Sequence, residues 1–204
     1  MKIAIIGKGN VGSALAGTFQ AAGHEVVLGV RDPAGAAVEG LRVAGLVEAA
    51  AGAELVVLAT PFAAVDAVLE ALGDLSGVVL VDATNPLRWS EGPVHAPPAE
   101  GSAAAHIQAL RPGARVVKAW STMGAEHMAH PTVAGAPVTV LMAGDDLAAK
   151  SQVAALARSA GFAPADAGPL RNAAAMEQLA VLWIHLALVG GQGRGCALQL
   201  VHAG

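Results

Sequence analysis

Short apolar runs alternate with segments of helical period along the first part of the chain. The run KIAII (2–6) meets a glycine, residues 11–23 place apolar side chains at helical spacing, and HEVVLGV (24–30) is a second, β-branched run. Continuous apolar runs of this length are typical of strands that are buried on both faces. Residues 2–30 are therefore predicted to form a strand–helix–strand unit.

The alternation continues to about residue 190 and sets the expected fold class. Further strands are predicted at 54–60, 77–83, 114–120 and 137–144, and helices at about 34–50, 61–72, 102–110, 124–129, 145–160 and 171–190. Buried strands separated by helices predict a parallel sheet with helices on both faces. We expect a doubly wound α/β protein with a mostly parallel sheet, formed as one domain over residues 1–204.

Two stretches depart from this alternation. NPLRWSEGPVHAPPAEG (85–101) contains four prolines and no period, so it is predicted to be a long loop, and such loops are usually functional or mobile. The last helix, about 171–190, carries more apolar residues than one face needs, which predicts a C-terminal appendage that packs on the sheet or on a second subunit. Its stripe consists of Met176, Leu179, Leu182, Trp183, Leu186 and Leu188. A homodimer is therefore a hypothesis. Separately, Trp120 and Trp183 are candidates to border a pocket that binds a ring.

Composition and charge narrow the classes of ligand. The net charge is −4 and the twelve Lys and Arg residues are scattered, which argues against nucleic acid or an anionic membrane as a partner and favours small molecules or proteins. A single cysteine excludes an intrachain disulfide, as is usual in a reducing compartment. The apolar run at the N-terminus is too short for an export signal, and 179–189 is too short to cross a bilayer. A cytoplasmic protein is expected.

The sequence GKGNVG directly after the first strand has the spacing of a dinucleotide fingerprint. Gly7 permits the tight turn, Gly9 lets backbone approach a pyrophosphate, and Gly12 lets the helix pack on the strand, while Lys8 and Asn10 add donors. The amides at the start of the helix stabilise phosphate without side-chain charge. An NAD(P)-binding Rossmann-type domain is predicted, and a glycine turn without a ligand is the alternative.

The end of the second strand bears on the choice of dinucleotide. NAD-selective sites place an acidic residue there to bind the ribose hydroxyls, whereas an arginine suits the 2′-phosphate of NADP. Val30 occupies the acidic position and Arg31 follows it, so NADP is favoured. Two alternatives stay open: Asp32 as the ribose ligand, or Arg31 as a solvated residue paired with Asp32.

Longer motifs resemble those of the F420-dependent NADP reductases, a Rossmann family related to ferric-reductase oxidoreductase domains. The segments that carry the resemblance span most of the chain: KIAIIGKGNVGSALA, LGVRD, ATPFAAV, VDATNPL, VVKAWSTMGAE and DAGPLRNAAAMEQLA. The family passes a hydride between NADP and a 5-deazaflavin, and the related domains use a flavin. This chain departs from the family pattern in three places. Val30 replaces a small hydroxyl residue, no second basic residue follows soon after Arg31, and the loop 85–101 differs.

The resemblance implies a role for particular residues. The four residues from Lys8 to Val11 would touch the pyrophosphate, and Val30 and Arg31 would lie at the 2′-phosphate. It also implies that Thr60 and Pro61 lie along the cofactor and that Asn85 lies near the nicotinamide ribose. Thr122 and Met123 would lie near the nicotinamide.

No catalytic constellation stands out, and hydride transfer between two stacked rings needs none. A carbonyl or imine reductase would need a proton donor, and Lys118 and His127 are weak candidates for it. The alternative for Lys118 is a lysine at a strand end whose side chain snorkels to solvent. Glu126, His127 and His130 are close in sequence but too few for a metal site, so no metal is expected. The resulting hypothesis is an NADP-dependent oxidoreductase with a deazaflavin, flavin or small organic acceptor, and the alternative is an NADP-sensing protein without turnover.

Overall fold

Six parallel strands form the central sheet of the computed structural model, which describes residues 1–201. The strands are β1 (Lys2–Ile6), β2 (Glu25–Val30), β3 (Arg42–Gly45), β4 (Leu55–Leu58), β5 (Val79–Asp82) and β8 (Arg115–Lys118). They lie in the order β3–β2–β1–β4–β5–β8. The strands are added on one side of β1 up to β3 and on its other side from β4 onward, so the strand order reverses between β1 and β4. This is the strand order of a Rossmann fold, which confirms the predicted fold class.

Within residues 1–201, seven α-helices cover the sheet and the elements beside it. They are α1 (Asn10–Ala21), α2 (Leu46–Ala50), α3 (Val65–Leu72), α4 (Ala103–Leu110), α5 (Ala125–Ala129), α6 (Leu147–Ser159) and α7 (Ala173–Leu188). Successive residues of β1 point to opposite faces, so Ile3 and Ile5 join the core beneath α1 while Ala4 and Ile6 join the core beneath α3. Both faces are buried, which explains why the strands are continuous apolar runs.

In the described part of the chain, three smaller strand pairs flank the sheet. β6 (Leu87–Trp89) and β7 (Pro93–His95) form an antiparallel hairpin, β9 (Thr132–Val133) and β10 (Ala136–Pro137) form another, and β11 (Thr139–Met142) pairs in parallel with β12 (Ala163–Asp166). An antiparallel bridge between Lys118 and Ala143 joins the last pair to β8.

Two predictions about local structure are wrong. Residues 34–50 are not one helix, because they contain a turn region, the edge strand β3 and only the short helix α2. Residues 85–101 are not all loop, because they contain the β6–β7 hairpin. The strand β12 was not anticipated either, since its sequence APAD has a proline and no apolar run.

Helix α7 packs within this chain, against β7 and the helix α4. Leu182, Leu188 and Val189 remain exposed on it, so contact with a second subunit stays a prediction. Across residues 1–201, every helix is too short or too polar to traverse a membrane.

Candidate functional site

A cleft of about 560 Å³ opens at the carboxyl ends of β1, β2 and β4, where the strand order reverses. Ligands of open α/β sheets bind at this switch point. The predicted residues that line it are Gly7, Lys8, Gly9, Val30, Arg31, Thr60 and Pro61, and Leu46, Ala64 and Val68 supply an apolar wall. These seven predicted residues therefore meet at one cleft, and their contact with a cofactor stays a prediction.

The glycine turn between β1 and α1 leaves no room for side chains at two of its three glycines. Gly7 has φ +118°, and a Cβ there would lie 2.5 Å from the carbonyl oxygen of Ala59. A Cβ at Gly12 would lie 1.9 Å from the carbonyl oxygen of Gly7. The turn thus brings the first residues of α1 tightly against the ends of β1 and β4.

Gly9, the N-cap of α1, faces open space instead. A Cβ at Gly9 would meet no atom within 4 Å, and no side chain caps the helix. The first amides of a helix have no acceptor inside it, and the helix dipole adds positive potential there. Asn10 and Val11 begin α1, so the start of this helix fits a phosphate group.

Arg31 follows the end of β2 at the rim of the cleft. Its side chain is exposed and makes no ion pair among residues 1–201. The Asp32 carboxylate instead accepts a hydrogen bond of 3.0 Å from the Ala34 amide, which argues against the alternative in which it pairs with Arg31. Val30 is 7% exposed and puts no carboxylate at the end of β2 itself. The Asp32 carboxylate does line the cleft, so Asp32 as the ribose ligand stays an open alternative.

Unpaired polar atoms collect at the ends of β4, β5 and β8. Among the described residues, the buried Oγ1 of Thr60, Oδ1 of Asn85, Oγ of Ser121 and Nε1 of Trp120 have no hydrogen-bond partner. The Asn85 amide donates to the Ser121 carbonyl at 2.8 Å, so these two loops are joined. Buried polar groups normally find partners, so the Thr60, Asn85 and Ser121 oxygens, which follow the ends of these strands, are candidates to bind a polar ligand.

The loop after β8 has an unusual backbone. Trp120 has φ +53°, a left-handed conformation that is costly for a bulky side chain and occurs mainly at functional sites. Its ring is in the core, edge-on to Phe19, rather than at a pocket. Thr122 and Met123 follow and are buried, outside the lining of the cleft. They follow Ser121, whose carbonyl accepts the hydrogen bond from the Asn85 amide, so they belong to the loop that Asn85 contacts.

Lys118 does not snorkel, and the expectation that it would is wrong. Its side chain is fully buried, and its ammonium group lies 2.9 Å from Asp82 Oδ2, 2.9 Å from Glu177 Oε1 and 2.5 Å from the Thr84 carbonyl oxygen. An ammonium has three donors, and all three are used. Lys118 is therefore not free to protonate a substrate.

His127 is also engaged. Its Nε2 donates to the Cys196 carbonyl at 2.8 Å, and the indole of Trp183 donates to the same oxygen at 2.9 Å. These two side chains hold the segment after α7 against α5. His130 is exposed, and within residues 1–201 no three His, Cys, Asp or Glu side chains converge as metal ligands.

Sequence reasoning missed Asp82, Glu177, His95 and Ser121. Asp82 and Glu177 belong to motifs that were singled out, VDATNPL and AAAMEQLA, and both are acidic residues within apolar segments. A charge in such a position is costly unless it is paired, and that cost was the available indication. His95 lies in a stretch that was predicted to be loop, where no such indication exists.

The chain is similar to several known proteins. Residues 2–86 match the family model described as NADP oxidoreductase, coenzyme F420-dependent. A candidate F420-dependent NADP reductase from Arthrobacter sp. FB24 is 37% identical, with a TM-score of 0.89 over 99% of this chain and 100% of that one. A hypothetical protein from Sinorhizobium meliloti, SMa0349, is 29% identical, with a TM-score of 0.74 over 100% of this chain and 96% of that one.

A curated relative is longer. Rat metalloreductase STEAP3 is 31% identical over 182 residues, which are 87% of this chain and 36% of that protein. The chain therefore spans about a third of the length of the relative. With the family model over its amino-terminal part and a relative that matches it from end to end, the chain belongs to the F420-dependent NADP oxidoreductase family.

Proposed function

We propose that the protein transfers a hydride between NADP(H) and a deazaflavin or flavin, or a small organic acceptor. The observation that carries the proposal is Arg31, an exposed cation without an ion pair in residues 1–201, beside the buried Val30 at the rim of a cleft built on a glycine turn. A guanidinium pairs with phosphate oxygens and stacks on adenine, and no carboxylate at position 30 opposes it. Family membership supports an NADP-dependent oxidoreductase.

The amino-terminal half of the sheet is the proposed site of the adenosine part. The amides of Gly9, Asn10 and Val11 would stabilise the pyrophosphate, with Lys8 as a nearby cation. Gly12 would act indirectly by letting α1 approach. Arg31 would bind the 2′-phosphate, and Thr60 and Pro61 would lie along the cofactor.

The other half, formed by β4, β5 and β8, is the proposed site of the nicotinamide part. Asn85 has an unpaired carboxamide oxygen for the ribose, and Thr122 and Met123 follow Ser121 in the loop that Asn85 binds. When bound, NADPH supplies a hydride to the acceptor. The residues here would orient the rings, and none of these four side chains is ionisable, which suits transfer between two rings. A small carbonyl acceptor would have to take its proton from water.

A calorimetric titration with NADPH and with NADH tests the assignment. Arg31→Ala should weaken NADPH binding by about 1.5–3 kcal/mol, the range for hydrogen bonds to charged groups, and leave NADH nearly unchanged. Arg158→Ala, which removes an exposed arginine of α6, is the matched control and should change neither. Equal losses for both nucleotides in Arg31→Ala would refute the 2′-phosphate assignment.

Turnover separates the enzyme from the alternative, a sensor that binds NADP without reacting. The near-ultraviolet absorbance of NADPH should fall when a deazaflavin, a flavin or a small carbonyl compound is added to the protein. Tight binding without oxidation by any of these acceptors would favour the sensor.

A homodimer through α7 is part of the proposal. Leu182 and Leu188 of α7 and Val189 just after it are exposed, and Trp89 of the β6–β7 hairpin, whose strand β7 packs on α7, is 62% exposed. Exposed apolar side chains that form a patch mark interfaces. Light scattering should give twice the mass of one chain, and a clean monomer at micromolar concentration would rule the dimer out.

A further inference from the structure

Lys118, Asp82, Glu177 and His95 form a chain of polar contacts that the proposed reaction does not use, here named the Lys118 cluster. Lys118, Asp82 and Glu177 are fully buried, and the side chain of His95 is 14% exposed. Lys118 bridges both carboxylates at 2.9 Å. Burying three charges is expensive, and such pairs add little net stability compared with apolar side chains of similar size. The cluster therefore calls for a role other than stability.

Glu177 joins three elements of the carboxyl-terminal half of the molecule. Its Oε1 accepts from Lys118 of β8 and, at 2.9 Å, from the Ala103 amide at the start of α4. Its Oε2 accepts from His95 Nε2 of the β6–β7 hairpin at 3.0 Å. One carboxylate of α7 thus fixes a strand, a helix and a hairpin relative to one another.

The opposite end of the cluster holds Thr84 at three atoms. Asp82 Oδ1 accepts from the Thr84 amide at 2.8 Å and from its hydroxyl at 2.7 Å, and Lys118 donates to its carbonyl oxygen. Asn85 follows directly, and its amide is bonded to Ser121. The orientation of Asn85 is therefore fixed through Thr84 by buried charges.

We infer that the Lys118 cluster positions the Thr84–Asn85 turn for the nicotinamide half of the cofactor, with Glu177 of α7 as its organising group. This inference rests on the proposed function, since it assigns the nicotinamide to the ends of β5 and β8. The members of the cluster are positioning residues, because they act through Thr84 and Asn85. Arg31 and the glycine turn lie in the other half of the sheet and are independent of the cluster.

Glu177→Gln is the informative variant. It keeps the size of the side chain and leaves Lys118 and Asp82 as a buried pair of opposite charge, so the protein should fold, which thermal unfolding checks. Calorimetry then compares NADP⁺ with adenosine 2′,5′-bisphosphate, which lacks the nicotinamide half. Asp166→Asn is the matched control, since it breaks another lysine–carboxylate pair, Lys150–Asp166, at the end of β12. If Glu177→Gln folds poorly, His95→Gln tests the outer bond of the same carboxylate.

Glu177→Gln should weaken NADP⁺ on the order of tenfold and leave the bisphosphate unchanged, and kcat of hydride transfer should fall more than KM changes. Asp166→Asn should bind both ligands like the wild type. Equal losses for both ligands, or no loss for either, in the Glu177→Gln protein would overturn the positioning role alone. A wild-type protein that binds neither ligand would overturn the proposed function and the inference with it.

Discussion

Gly12 lies so close to Gly7 that a Cβ built on it would stand 1.9 Å from the Gly7 carbonyl oxygen. The obstacle is backbone at the end of β1, which cannot move aside as a flexible side chain would. The third glycine of the fingerprint is therefore required for the approach of α1 to the sheet, and this approach places the first amides of α1 at the cleft.

Gly12→Ala should force α1 away from β1. We expect a loss of about 1–3 kcal/mol in the free energy of unfolding, the range for overpacking, together with weaker NADP(H) binding because the helix amides move. Urea unfolding and calorimetry measure the two effects.

Gly17→Ala is the matched control on the same helix. A Cβ at Gly17 would meet no atom within 4 Å, so only the helix preference of alanine acts, and it should stabilise the protein by about 0.5–1 kcal/mol. Equal stability of Gly12→Ala and the wild type would contradict the packing role of Gly12.

Local relationships such as this one are readable from sequence. The strand, the glycine turn, the helix and the second strand are neighbours along the chain, and their spacing alone predicted β1, α1, β2 and the part of the cleft that they form. The buried strands β4, β5 and β8 were predicted for a similar reason, because burial on both faces demands a continuous apolar run.

The edge strand β3 and the contacts between distant residues could not be predicted from the sequence. The strand β3 is four residues long and only partly buried, so it lacks the apolar run of a central strand, and its alanine-rich surroundings favour helix. The bond from Lys118 to Glu177 joins residues that are 59 positions apart. A lysine in an apolar strand indicates that it needs a partner or a route to solvent, but not where along the chain a partner lies, so sequence favoured a snorkelling side chain.

His106 provides a test that depends on pH. Its Nε2 lies 2.8 Å from Asp66 and its Nδ1 lies 3.0 Å from Glu100, so both ring nitrogens donate when the ring is charged. Burial lowers the pKa of His106, but the hydrogen bonds and charges of Asp66 and Glu100 outweigh it, and the pKa is raised above its ordinary value of 6.5. The folded protein therefore binds this proton more tightly than the unfolded chain does.

The contribution of His106 to stability should be complete below about pH 6.5 and should disappear as the pH rises through the folded pKa. His106→Gln should be less stable than the wild type at pH 6, and the gap should narrow at higher pH, as measured by urea unfolding across that range. His130→Gln, which changes an exposed histidine, should show no such gap. A gap for His106→Gln that is constant with pH would show that the ion pairs do not contribute.

The Ser121 hydroxyl allows a test of whether a buried polar group serves the stability of the fold or the binding of a ligand. Its hydroxyl is buried and has no partner among the described residues, whereas the Thr84 hydroxyl donates to Asp82 at 2.7 Å. Ser121→Ala should therefore leave the ligand-free protein as stable as the wild type, or more stable by up to about 1 kcal/mol, while Thr84→Val should lose about 1–3 kcal/mol. If the Ser121 hydroxyl binds the cofactor, Ser121→Ala should also weaken NADP⁺ by about 0.5–1.5 kcal/mol in calorimetry. A less stable Ser121→Ala protein with unchanged affinity would instead make this hydroxyl part of the fold, because a group kept for a ligand contributes only when the ligand is bound.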